Sequence, residues 1–185
     1  QNNNLAITFI VTTFLSTFIT YISIPLLKKI EIRQIIRKEG PKKHYLKQGT
    51  PTMGGVFFIP IGIIISNIIY LNNENYRTIL TLSLLVISFM IIGLFDDLIS
   101  LKKNLNTGLT SNQKLILQFL ISLIFIIYCG FNNFIPNNIQ IADTNINVGN
   151  FIYPLGIFVL LAESNSTNLT DGLDGLLSGC SALIF

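Results

Sequence analysis

The sequence predicts an all-α integral membrane protein, a polytopic bundle of about five complete spans plus a truncated sixth, with the N-terminus outside. Three observations predict it. Half of the 185 residues are hydrophobic, only 11% are charged and Trp is absent, with a mean hydropathy of +0.62. A soluble domain of this size needs more surface charge than that. The apolar residues also fall in runs rather than amphipathic stripes, and the cations gather in alternate loops.

A span takes about 20 residues, or roughly 17 at the short end. The runs Leu5–Leu27 and Thr78–Phe95 meet this outright. Val56–Leu71 and Leu115–Tyr128 meet it if Gly54, Gly55 and the flanking polar residues join their helices. Phe151–Leu161 is short and must extend toward Ser164, and Leu176–Phe185 is half a span. A signal peptide is the rival reading of the first run; against it, no positive residue precedes the run and the Lys residues follow it. No repeat or linker divides residues 1–185, so they read as one membrane domain, and the half-span at its end reads as a truncation. Between the fourth and fifth runs, the polar loop 131–150 carries β-prone stretches at Ile139–Ile141 and Asn145–Val148, which predict a small hairpin.

Lys28, Lys29, Arg33, Arg37, Lys38, Lys42, Lys43 and Lys47 fill segment 28–53, and Lys102, Lys103 and Lys114 fill 96–114. Arg77 is the remaining cation. The positive-inside rule places both basic segments in the cytoplasm, and alternation brings 164–175 to the same face. Cys129 and Cys180 have no metal-site spacing and read as small apolar fillers.

Three motifs converge on that face. In Gly49-Thr50-Pro51-Thr52-Met53-Gly54-Gly55, Thr50 is a candidate N-cap and Pro51 a first-turn residue. A helix start beside Lys47 would seat an anion, and the two glycines would permit close helix packing or close approach of a ligand. The bland alternative is a basic loop that touches anionic lipid. Asp96-Asp97 closes the third run, where carboxylates at a helix C-terminus oppose the macrodipole and call for a cation. Mg²⁺ with phosphate fits that need. In 168–175, helical spacing would align Asn168, Asp171 and Asp174 on one face, with Gly172 and Gly175 leaving room for a flat ring or sugar. Lysines for phosphates and carboxylates for Mg²⁺ suit phosphoryl transfer.

These motifs, in this order, resemble the phospho-N-acetylmuramoyl-pentapeptide transferases, a family of the polyprenyl-phosphate N-acetylhexosamine-1-phosphate transferase superfamily. The resemblance implies a ten-span enzyme of the bacterial plasma membrane, with its active site on the cytoplasmic face. Its reaction would move phospho-MurNAc-pentapeptide from UDP-MurNAc-pentapeptide to undecaprenyl phosphate, giving lipid I and UMP for peptidoglycan synthesis. The implied cofactor is Mg²⁺. The implied catalytic residues are Asp96 and Asp97, which also serve as metal ligands, and the first would deprotonate the lipid phosphate. Lys47, Thr52, Lys114, Asn168, Asp171 and Asp174 would bind the nucleotide-sugar, with Asp174 near the uracil. The bilayer is a partner, a homodimer is left open, and no nucleic acid is expected.

The sequence departs from the family at Ser100, where a Lys is usual, and Lys102 or Lys103 would substitute. The family's third essential aspartate and His-rich loop would follow Phe185, so these 185 residues alone are expected to be inactive. A sister enzyme using UDP-GlcNAc is the nearest rival reading. An ion-coupled transporter would instead place its carboxylates at mid-bilayer, and a non-catalytic remnant would only pack or scaffold.

Overall fold

Helix α1 runs over Asn2–Lys29 and is apolar on every side. Phe9, Phe14, Phe18 and Tyr21 are all exposed, as expected of a helix solvated by lipid instead of by water. Several of its hydroxyls bond back along the helix itself. Thr12 Oγ1 donates to the Thr8 carbonyl at 2.6 Å, Thr13 to Phe9 at 2.7 Å and Thr17 to Thr13 at 2.7 Å. In hydrocarbon this back-bonding removes a desolvation cost of several kcal/mol per group, in order of magnitude.

The computed structural model describes residues 2–29, 53–103, 108–141, 144–171 and 175–184. It contains α2 (Gly55–Ile69), α3 (Tyr76–Lys103), α4 (Ser111–Phe131), α5 (Ile152–Thr170) and α6 (Leu176–Ile184). Strands β1 (Asn138–Ile141) and β2 (Thr144–Asn147) lie between α4 and α5. They pair antiparallel, Ile139 opposite Ile146 and Gln140 opposite Asn145. The expected hairpin is present, and all four residues of its second strand are exposed.

Among the described residues, three helices are long and apolar enough to cross a membrane: α1, α3 and α4. The fourth run does recruit its polar flank, since α4 begins at Ser111. The second run recruits Gly55 but stops at Ile69, giving 15 residues. That is about 22 Å at 1.5 Å per residue, short of a 30 Å hydrocarbon core. Helix α5 reaches 19 residues, but its C-terminal half carries Glu163, Ser164, Asn165 and Ser166.

The chain forms two compact units, Gln1–Lys114 and Leu115–Phe185. In the first, α2 packs against both α1 and α3. Asn67 Nδ2 of α2 donates to Ser83 Oγ of α3 at 2.8 Å, a polar tie between apolar helices. In the second, small residues let α4 and α5 approach closely. A Cβ on Gly130 would stand 2.7 Å from Tyr153 Cε1, and one on Gly156 would stand 2.8 Å from Ile126 Cδ1. Gln118, 1% exposed, donates to Ser164 Oγ at 2.9 Å and accepts from Asn165 Nδ2 at 3.0 Å.

Gly54 and Gly55 were expected to permit close packing or close approach of a ligand. Among the described residues, a Cβ on Gly54 would meet nothing within 4 Å, and one on Gly55 would touch only Ile59 of its own helix, so the two glycines leave open space there. The helix start expected at Thr50 and Pro51 lies outside the described residues. Met53 has φ 66°, a left-handed conformation that an L-residue does not adopt inside a helix. Helix α2 therefore starts at Gly55, after Gly54 as N-cap.

Candidate functional site

Asp96 and Asp97 were read as the end of a span. The structure places them inside α3, which continues through Leu98–Leu101 to Lys103. The macrodipole acts mainly over the last turn of a helix. Here that turn holds Lys102 and Lys103, whose charge is the favourable sign for a C-terminus. The electrostatic cost assigned to a terminal Asp pair therefore does not arise. Both carboxylates are half-buried, and adjacent helical positions aim them about 100° apart.

Among the described residues, the cation that reaches Asp96 is Lys114. Lys114 Nζ donates to Asp96 Oδ2 at 3.4 Å, with the two side chains 18% and 28% exposed respectively. The other carboxylate oxygen, Oδ1, accepts the backbone N–H of Leu109 at 2.8 Å. Both oxygens are thus engaged from one side of the chain, by the turn leading into α4.

That turn has a sequence signature which the motif reading passed over. Thr110-Ser111-Asn112-Gln113 is a capping box. The Gln113 N–H donates to Thr110 Oγ1 at 3.3 Å, and the Thr110 N–H donates to Gln113 Oε1 at 3.0 Å. The Lys114 amide then makes the first helical bond, to the Thr110 carbonyl at 3.0 Å. The box starts α4 and delivers Lys114 on its first full turn. The part of Gly108 has no comparable signal, because it depends on what lies opposite that glycine.

The acidic segment 168–175 departs from its helical reading. Helix α5 ends at Thr170, and Asp171 is its C-cap with φ −74° and ψ 27°. The Asp171 N–H bonds the Thr167 carbonyl at 3.1 Å. Gly175 has φ +80°, a conformation that glycine supplies without strain. The helix that carries Asn168 therefore stops at its C-cap, Asp171. Asn168 and Asp171 lie exposed at the same end of α5. Lys47, Thr52 and Asp174 fall outside the described residues.

Among the described residues, no group of three or more His, Cys, Asp or Glu side chains gathers as a metal cage. Mg²⁺ does not require one. It usually takes one or two carboxylates and completes its shell with water and substrate phosphate. The donor pair Asp96 and Asp97 fits that share.

Residues 79–185 match the model of glycosyl transferase family 4, and residues 47–59 match phospho-N-acetylmuramoyl-pentapeptide-transferase signature 1. A phospho-N-acetylmuramoyl-pentapeptide-transferase of Prochlorococcus marinus strain NATL2A is 72% identical over all 185 residues, which cover 50% of that relative. Proteins of the same name from Prochlorococcus marinus strain MIT 9313 and Synechococcus sp. strain CC9311 are 45% and 40% identical, again over the whole chain and half of each relative. The chain thus spans about half the length of the curated relatives it matches.

Proposed function

This chain belongs to glycosyl transferase family 4, and we propose that it forms part of an enzyme that makes lipid I. The reaction is transfer of phospho-MurNAc-pentapeptide from UDP-MurNAc-pentapeptide to undecaprenyl phosphate, with UMP released. The observation that carries this reading is the likeness along the entire chain to relatives bearing that name. The arrangement around Asp96 is compatible with it, since phosphoryl transfer depends on positioning and charge stabilisation more than on covalent chemistry by the protein.

In this reading Asp96 and Asp97 serve the reacting phosphates, and Asp96 takes the proton of the attacking lipid phosphate. Lys114 offsets negative charge beside Asp96. Lys47, Thr52, Asn168, Asp171 and Asp174 bind the nucleotide-sugar. Asp96 and Asp97 would hold Mg²⁺, which when bound neutralises pyrophosphate charge. In this reading the apolar runs supply five spans, and the cation distribution supports an N-terminus outside and a site at the cytoplasmic face of the plasma membrane. Residues 1–185 are read as one membrane domain because no repeat or linker divides them.

The test is a transfer assay with the complete protein in membranes, offered UDP-MurNAc-pentapeptide and UDP-GlcNAc separately with undecaprenyl phosphate. Lipid I and UMP are expected from the first donor, with loss of activity on chelation of Mg²⁺. Use of UDP-GlcNAc alone would overturn the reading. Asp96→Asn and Asp97→Asn should each abolish transfer, and an active variant would remove that residue from the catalytic pair.

A further inference from the structure

Asp96 is held by a short turn that lies outside the acidic and basic motifs. Gly108 approaches α3 so closely that a Cβ there would overlap the Asp96 main-chain carbonyl oxygen and stand 2.5 Å from Oδ1. Its neighbour Leu109 donates its N–H to that same Oδ1. Thr110 and Gln113 then close the capping box on one another, and Lys114 reaches Oδ2.

We propose that Gly108, Thr110 and Gln113 are positioning residues for Asp96, acting through the Leu109 amide and the Lys114 ammonium. An aspartate on a helix has several rotamers available. A main-chain donor fixes one of them without ordering a second side chain, and it needs no reorganisation during reaction. That donor is correctly placed only while residue 108 lacks a Cβ. The atoms that an alanine would meet include the Asp96 carbonyl oxygen and carbon, which are main-chain atoms and do not rotate aside. The turn itself must move. The capping box acts on the other side of Leu109, because Gln113 Oε1 holds the Thr110 amide and so sets the plane of the 109–110 peptide. In a reaction that depends on alignment, a displacement of about 1 Å is worth roughly a hundredfold in rate.

This inference rests on the transferase reading. Its test uses the complete protein with Gly108→Ala, a Thr110→Ala/Gln113→Ala pair and the conservative pair Thr110→Ser/Gln113→Glu, which preserves a capping box. For Gly108→Ala, kcat should fall at least about tenfold while KM for the nucleotide-sugar stays within about twofold, an alignment loss rather than a binding loss. The alanine pair should lose about three- to tenfold in kcat, and the conservative pair should recover most of it.

Wild-type kcat in Gly108→Ala overturns the proposal, as does a loss confined to KM. If Gly108→Ala fails to accumulate in membranes, the exposed Thr110 and Gln113 decide by the same criterion. An alanine pair with unchanged kcat, or a conservative pair no better than the alanine pair, then overturns it. Absence of transfer by the unaltered protein would instead defeat the transferase reading, and this inference with it.

Discussion

Lys114 and Asp96 meet across the corner between α3 and α4, Nζ to Oδ2 at 3.4 Å and 18 positions apart in sequence. The contact is long for an ion pair, and both partners retain access to water. Its contribution to stability is therefore small, on the order of 0.5 kcal/mol. In the proposed reaction its value would lie in keeping one positive charge beside the carboxylate assigned to the phosphates.

Lys114→Gln should therefore separate activity from stability. In the complete protein, kcat/KM for lipid I formation should fall at least about tenfold, equivalent to about 1.4 kcal/mol. Thermal unfolding in detergent should change by only a degree or two in order of magnitude. Lys114→Arg should recover part of the loss, because charge is kept while the planar guanidinium replaces a compact ammonium. A drop in melting temperature that accounts for the lost activity would make Lys114 a structural residue.

Helix α4 pairs two buried polar residues one turn apart that should respond in opposite directions. Gln118 bonds both Ser164 and Asn165, so Gln118→Leu leaves two polar groups without that partner. It should cost about 1 to 2 kcal/mol by the range for interhelical hydrogen bonds in membranes. Ser122 is fully buried, and among the described residues its hydroxyl has no hydrogen-bond partner. Ser122→Ala should be neutral or slightly stabilising, because it removes a desolvated group that returns nothing. Comparative unfolding of the two variants checks the sign of each, and equal destabilisation would contradict the argument.

What was legible in the sequence follows from how far apart the determining residues lie. Helices α1, α3 and α4 were readable because a long apolar run is a local property. The hairpin was readable because β-prone stretches flank Ala142 and Asp143. Continuation of α3 beyond Asp97 was missed, since two adjacent charges after an apolar run look like a boundary. Leu98, Ile99 and Leu101 then carry the helix onward. The capping box at 110–113 was present as a local signal. Its use was not, because the partner of that turn is Asp96, and no spacing rule joins positions 96 and 109. The Gln118–Asn165 bond spans 47 positions and has the same opacity. For 168–175, helical spacing suggested one face, whereas α5 ends at Thr170 with Asp171 as its C-cap.

Gly130 offers the sharpest test of packing between α4 and α5. A Cβ at this position would stand 2.7 Å from Tyr153 Cε1 and 3.4 Å from both Cζ and the hydroxyl oxygen, so it presses on the edge of a rigid ring. Gly156 is the milder case, because its Cβ would meet Ile126 Cδ1, the end of a side chain with other rotamers. Gly130→Ala should therefore cost about 1 to 3 kcal/mol, the usual range for overpacking. Gly156→Ala should cost less than Gly130→Ala. Shrinking the ring should relieve the first substitution specifically: Gly130→Ala combined with Tyr153→Ala should be more stable than the sum of the single effects predicts, by about 0.5 kcal/mol or more. Strict additivity of the two changes in a double-mutant unfolding cycle would show that the glycine does not serve to admit Tyr153.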